Sequence, residues 1–171
     1  MFVPEFSGQT FIPELPAFPN VIVGRTFSKA FGMAGLRIGA ITGDPATLEP
    51  LRLAIPVYSV NIAAVVALQA ALSDRAFVNA YLAQVEQSKA LLYAACRRLD
   101  LRYWPSAANF VLVHVGARVE ALVASAAKRD IYLRDRSSEP GCQGSVRITT
   151  GVVQHTQRVI DIMDEVLCAA R

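Results

Sequence analysis

Lys29 lies between Ser28 and Ala30 in the stretch RTFSKAFGMAGLRIG, and Arg37 follows it by eight residues. A lysine amine that is to condense with an aldehyde must be partly deprotonated, which calls for a confined, partly desolvated setting. Its neighbours must also be small enough to let a ligand approach, as Ser28, Ala30 and Gly32 are. The hydroxyls of Thr26 and Ser28, with the planar fork of Arg37, suit the oxygens of a phosphate. Imine chemistry on a phosphorylated aldehyde is one reading of this segment. The other is an exposed lysine in a glycine-rich turn, and these residue types alone admit both. Only three of the 17 Lys and Arg residues are lysines. Lys89, beside Ser88 and near Glu86, and Lys128, beside Arg129 and Asp130, read as solvated surface charges.

Such side chains need elements to hold them. Residues 1–20, with four prolines, read as an irregular lead-in. VIVGRTF (21–27) reads as a buried strand and LRIGAITG (36–43) as a second, so Lys29 falls on the loop between them. Asp44 before Pro45 is a helix start, with an N-cap followed by proline at the first helical position, and the helix runs to about Ala54. Ser59 can cap the next helix, a buried one through Leu72. The spacing of Phe77, Tyr81, Val85, Leu92, Cys96 and Leu99 predicts a long amphipathic helix over 73–100, capped by Ser73 or Asp74. Strands are expected at 101–104, 109–115, 131–135 and 145–150, and helices at 118–129 and 154–169. The fold class is α/β. Residues 1–75 hold too few elements to own a core, whereas 76–171 can form a complete small α+β domain.

Composition narrows the function classes. Hydrophobic residues make up 53% and charged residues 18%, which suits a packed core. The net charge of +3 is mild and its basic residues are scattered, so no nucleic-acid footprint is evident. Cys96, Cys142 and Cys168 are far apart and odd in number, which argues against a disulfide framework or a zinc site and fits a reducing compartment. The opening residues lack a signal-peptide pattern, and the apolar run 60–72, interrupted by Asn61 and Gln69, is too short to span a bilayer. The cytoplasm is the expected location.

RTFSKAFGMAGLRIG resembles the cofactor-lysine segment of the fold type I, pyridoxal-phosphate-dependent aminotransferases, and within them the histidinol-phosphate aminotransferase family. The likeness continues along the chain. PVYSVNIAAVVALQAAL resembles that family's P-Y-x-[LV]-[SN] segment and the helix after it. SAANFVLV resembles its S-x-A-N-F strand, which carries Asn109. IYLRDRSSEPGCQGSVRITTG resembles its R-D … R-I-[ST]-x-G end, with Arg134 and Arg147 13 residues apart. The resemblance covers nearly the whole chain from about Glu5. It implies the end of a large-domain sheet (1–75) followed by the small domain (76–171).

The resemblance also implies roles. Lys29 would be the imine lysine and proton shuttle of pyridoxal 5'-phosphate, with Thr26, Ser28 and Arg37 around its phosphate. Arg147 would meet the substrate's carboxylate, and Arg134 the phosphate of histidinol phosphate or the distal carboxylate of glutamate, beside Asn109. A surface pair between Arg134 and Asp135 is the plain alternative for that arginine. Arg136, His114, His155 and Cys142 match no catalytic position. The reaction implied is histidinol phosphate with 2-oxoglutarate giving imidazole-acetol phosphate and glutamate, by a homodimer that binds neither nucleic acid nor membrane. Threonine-phosphate decarboxylase, an aromatic aminotransferase and a non-catalytic fragment remain open. The family's phosphate loop, and the acid that faces the cofactor's pyridine nitrogen in a D-E-A-Y-x-E-F strand, have no counterpart here. Only Glu5–Phe6 matches the end of that strand, so a truncated chain of impaired activity is expected.

Overall fold

In the computed structural model, residues 4–168 are described. The expected abrupt start at residues 1–3 and the last residue of the expected final helix, Ala169, lie outside them. The chain divides into two compact units, Met1–Ala80 and Tyr81–Arg171.

In the first unit the lead-in is not irregular. A short helix α1 (Pro4–Ser7) and a 3-10 turn (Ile12–Ala17) bury Phe6 and Leu15. Strand β1 (Ile22–Thr26) pairs antiparallel with β2 (Gly39–Gly43), so that Thr26 stands opposite Gly39. These are two half-open strands, and β1 is not the buried strand its composition suggests: Ile22 is 38% exposed. Helix α2 (Pro45–Ala54) starts as its residues dictate, with Asp44 accepting from the N–H groups of Ala46 and Thr47.

Helix α3 (Ile62–Ser73) departs from expectation twice. Its cap is Asn61, whose side chain accepts from the Ala64 N–H at 2.8 Å, while Ser59 lies two residues earlier in a turn, its backbone N–H donating to the Pro56 carbonyl. Its apolar length is also not buried. Ala64 is enclosed, but Ile62 is 76% and Val66 59% exposed. A helix that is apolar all round has no polar face to mark which side meets solvent. Leu53, Val57 and Tyr58 extend this exposed apolar character back toward α2.

Helix α4 (Arg75–Arg98) is capped by Asp74, which accepts from the Phe77 N–H, whereas Ser73 closes α3 by donating to the Gln69 carbonyl. Val78, rather than the expected Phe77, takes the buried position in its first turns. From Tyr81 onward α4 belongs to the second unit. There β3 (Arg102–Trp104), β4 (Phe110–His114), β5 (Arg134–Asp135) and β6 (Ser145–Thr149) form an antiparallel sheet of order β3-β4-β6-β5. Strand β5 is shorter than the 131–135 expected, because the Ile131 N–H turns back to the Ala126 carbonyl at the end of α5 (Val119–Ala127).

Alternation gives this sheet two faces. Val111 pairs with Ile148 and Val113 with Val146, and all four are fully buried. They pack in one core with Leu92 and Cys96 of α4, Leu122 of α5, and Ile160 and Met163 of α6 (Val153–Cys168). Lys89 also turns inward, against the surface position expected of it. It is 4% exposed, with Nζ 2.6 Å from Glu86 Oε1 and donating to the Ser106 carbonyl. Among the described residues no cluster could hold a metal ion, and no single helix is long and apolar enough to cross a membrane.

Candidate active site

In the first unit, β1 and β2 deliver the ends of the loop that carries Lys29. The loop is closed by its own backbone: Gly32 N–H donates to the Lys29 carbonyl and Met33 N–H to the Phe27 carbonyl. Phe27, Ala30, Phe31, Met33 and Ile38 turn inward, with the Phe27 and Phe31 rings edge to face at 5.4 Å. Lys29 and Arg37 are left outside. These aromatic anchors carry no reactive group, so the residue types that suggest chemistry do not point to them. A hint was present in their i, i+4 spacing around the lysine.

The Lys29 side chain makes no hydrogen bond or ion pair among the described residues, and this unit does not confine it as imine chemistry requires. Thr26 Oγ1 accepts from the Ser28 N–H, which holds the two hydroxyl residues together at the strand end. Arg37 has left-handed backbone (φ 54°, ψ 41°), and among the described residues its guanidinium donates only to the Ala34 carbonyl. A non-glycine residue in that region is uncommon and marks a position of interest. Just upstream, Arg25 pairs with the buried Glu5 and lies over the Phe27 ring at 5.7 Å. Gly39 permits a close approach: a Cβ there would stand 2.9 Å from the Arg25 carbonyl oxygen.

In the second unit the register does the positioning. Trp104 pairs with Leu112, Leu112 with Arg147, and Arg147 with Arg134, so these four share one row on the face away from the core. Arg147 lies over Phe110 at 5.3 Å and its buried Nε has no hydrogen-bond partner. Neither Arg147 nor Arg134 enters an ion pair among the described residues. Asp135 does not serve Arg134. Its carboxyl is held below the usual carboxylate range by the Ser137 hydroxyl and backbone N–H. Arg136 is occupied by Glu139. Asn109, at the entry to β4, is half-buried, and its carbonyl accepts from the Thr150 N–H at 2.8 Å. Like charges directly opposite on neighbouring strands repel. Two unpaired guanidiniums in one row can therefore take up an anion.

The structure thus brings Thr26, Ser28, Lys29 and Arg37 onto one hairpin, and Asn109, Arg134 and Arg147 onto one sheet. Of the remaining cysteines, Cys142 is half-buried and Cys168 exposed, and all three thiols are free. His155 is exposed and His114 sits within β4.

Comparison with known proteins gives the family of the chain as a whole. The sequence profile of aminotransferase class I and II matches residues 2–163. The histidinol-phosphate aminotransferase of Symbiobacterium thermophilum is 39% identical over 150 residues, covering 88% of this chain and 41% of that protein. That of Methanopyrus kandleri is 33% identical over 168 residues, covering 95% of this chain and 43% of its own. The chain therefore spans about two-fifths of the length of these curated relatives. Among solved structures, histidinol-phosphate aminotransferase from Sinorhizobium meliloti, in complex with pyridoxal-5'-phosphate, matches at a TM-score of 0.78 and 27% identity. That match covers 90% of this chain and 42% of that one.

Proposed function

The chain belongs to the class I and II aminotransferase family, and on that premise we propose that it serves amino-group transfer with pyridoxal phosphate held at Lys29. The donor set of the first unit fits the aldehyde and the phosphate of that cofactor, while Lys29 and Arg37 stand exposed. The set offers an unpartnered lysine amine for an aldehyde, and the Arg37 guanidinium with the Thr26 and Ser28 hydroxyls for a phosphate. When bound, pyridoxal phosphate supplies an electron sink that makes the proton on the amine-bearing carbon acidic. Lys29 Nζ takes up that proton and returns it. Arg147 and Arg134 hold the anionic groups of the substrates, and Asn109 adds a neutral amide beside them.

The observation that carries this reading is the cross-strand pair Arg134–Arg147, two cations in register that enter no ion pair among the described residues. The substrates we assign are histidinol phosphate and 2-oxoglutarate, exchanged for imidazole-acetol phosphate and glutamate in histidine biosynthesis. Each carries an anionic group set apart from the reacting carbon, which suits the arginine row, and the relatives named above support the choice. Assembly as a homodimer belongs to the same reading, and light scattering of the purified chain tests it.

The experiment is covalent trapping. The chain is mixed with pyridoxal phosphate, reduced with borohydride and mapped by mass spectrometry. The expected result is an adduct on the Lys29 peptide that disappears in Lys29→Ala. An adduct spread over Lys89 and Lys128, or unchanged in Lys29→Ala, overturns the assignment. Histidinol phosphate offered against threonine phosphate and aromatic amino acids then separates the substrate classes.

A further inference from the structure

A charged amine that is 4% exposed carries a desolvation cost unless its partners answer it. Lys89 has two partners. Glu86, one turn earlier on α4, is largely solvated, and that pair alone could form at the surface. The other is the Ser106 carbonyl, in the loop that joins β3 to Asn109 and β4. The same residue is gripped a second time from α4: the Ser106 N–H donates to Tyr93 Oη at 2.9 Å. Tyr93 is in turn stacked on Tyr103, with centroids 4.8 Å apart. Inside the loop, the Ala108 N–H donates to Ser106 Oγ. Both backbone groups of Ser106 are thus tied to α4, three residues before Asn109.

The far side of Asn109 is held by the same helix. The Asn109 carbonyl accepts from the Thr150 N–H, and Thr150 is fully buried. The next carbonyl, that of Gly151, accepts from the buried Ser88 hydroxyl at 2.9 Å. Gly151 also lies close enough to Tyr81 that a Cβ there would stand 3.4 Å from the tyrosine oxygen. Ser88, Lys89 and Tyr93 therefore grip both segments that flank Asn109, and one of these is the end of β6, which carries Arg147. The Asn109 carboxamide itself makes no hydrogen bond among the described residues. Its backbone is fixed while its side chain stays available.

We propose that Lys89, with Ser88 and Tyr93, is a positioning residue: α4 uses its buried amine to set Asn109 against Arg147 as parts of one anion-binding surface. Lys89 touches no reacting atom in this role. The substrate half of the inference rests on the function proposed above, whereas the clamp itself rests on geometry alone.

The test uses the whole chain, labelled for NMR, with Lys89→Met and, should that variant fail to fold, Tyr93→Phe. Two quantities are read: amide hydrogen exchange at Ala108 and Thr150, and affinity for 2-oxoglutarate. Loss of one hydrogen bond from a charged donor corresponds to about tenfold or more. The clamp therefore predicts exchange at Ala108 and Thr150 faster by about that factor, and 2-oxoglutarate bound several-fold more weakly. The global unfolding midpoint stays level or rises, because methionine fills the lysine's place without its charge. Lys89→Arg restores part of the protection. Unchanged exchange at Thr150 overturns the proposal. So does faster exchange throughout the sheet with a lower midpoint, the mark of an ordinary core residue, and so does local loosening with intact affinity. If the unmodified chain ignores 2-oxoglutarate, the substrate reading of the arginines fails, and exchange at Thr150 alone still decides whether the clamp exists.

Discussion

Arg134 stands directly opposite Arg147 across β5 and β6, and among the described residues neither guanidinium has a carboxylate partner. Such a pair works against the fold in the absence of a ligand and favours a bound anion. Replacing either by methionine should leave ligand-free stability unchanged or raise it by up to about 1 kcal/mol, the scale of cross-strand pair energies. The same change should remove the thermal stabilisation that 2-oxoglutarate gives, with affinity lower by about tenfold or more. Thermal unfolding with and without 2-oxoglutarate measures both. A variant that loses stability without losing the ligand response would make these arginines structural.

The two arginines stood out before any coordinates by their 13-residue spacing in a family-like segment, but that they face each other is set by the register of β5 on β6. Helix α2 was legible too, where Asp44 caps the first N–H groups and Pro45 has none to satisfy, and so were the strands at 109–115 and 145–150. What escaped was set by partners far along the chain. Lys89 reads as a surface charge because only the loop at Ser106, 17 residues on, gives its amine a reason to turn inward. Helix α3 reads as buried because its residues are apolar, yet burial depends on what packs against it. The Lys29 loop was read for its small residues, while Phe27 and Phe31 are what fix it. Polar chemistry and local caps are written in short stretches, whereas coverage and long-range grips are not.

Two substitutions separate the phosphate-binding role proposed for Arg37 from its left-handed backbone. Arg37→Gly and Arg37→Ala both remove the guanidinium and should weaken pyridoxal phosphate binding alike. They differ at φ 54°, where alanine retains the left-handed cost of roughly 1 kcal/mol and glycine does not. The glycine variant should therefore unfold at the higher temperature. Calorimetry of the two, with cofactor titration alongside, checks this. Equal midpoints would show that the conformation carries no strain.

Burial pushes the Cys96 thiol up to about 11, against a small opposing effect of the Arg97 charge. The native state thus keeps its proton at pH values where the unfolded chain has lost it. The associated stability is fully present below the ordinary thiol pKa and is lost as pH rises toward the folded value. Between about pH 9 and 11 the loss is on the order of 2 kcal/mol. Urea unfolding of the second unit should weaken over that window, and Cys96→Ala should flatten the dependence. At about pH 8, a thiol reagent should label Cys168 and Cys142 while sparing Cys96 until the chain unfolds.

Gly39 tests whether the β1–β2 hairpin is what presents Lys29. A methyl at Gly39 would meet the Arg25 carbonyl oxygen at 2.9 Å, and that atom is backbone, so relief requires the strands to part. Arg25 is also held by Glu5, which limits how far β1 can yield. Gly39→Ala should cost about 1–3 kcal/mol, the range of overpacked sites. Thr26, opposite Gly39, begins the run to Lys29, so covalent trapping of pyridoxal phosphate at Lys29 should fall although the lysine is untouched. Gly24→Ala, in the paired strand β1, is the control. Nothing lies within 4 Å of a Cβ at that position, and both stability and trapping should persist. If Gly39→Ala is destabilised and yet traps the cofactor as the unmodified chain does, Lys29 works independently of the hairpin. Its placement would then belong to the Phe27–Phe31 anchor alone.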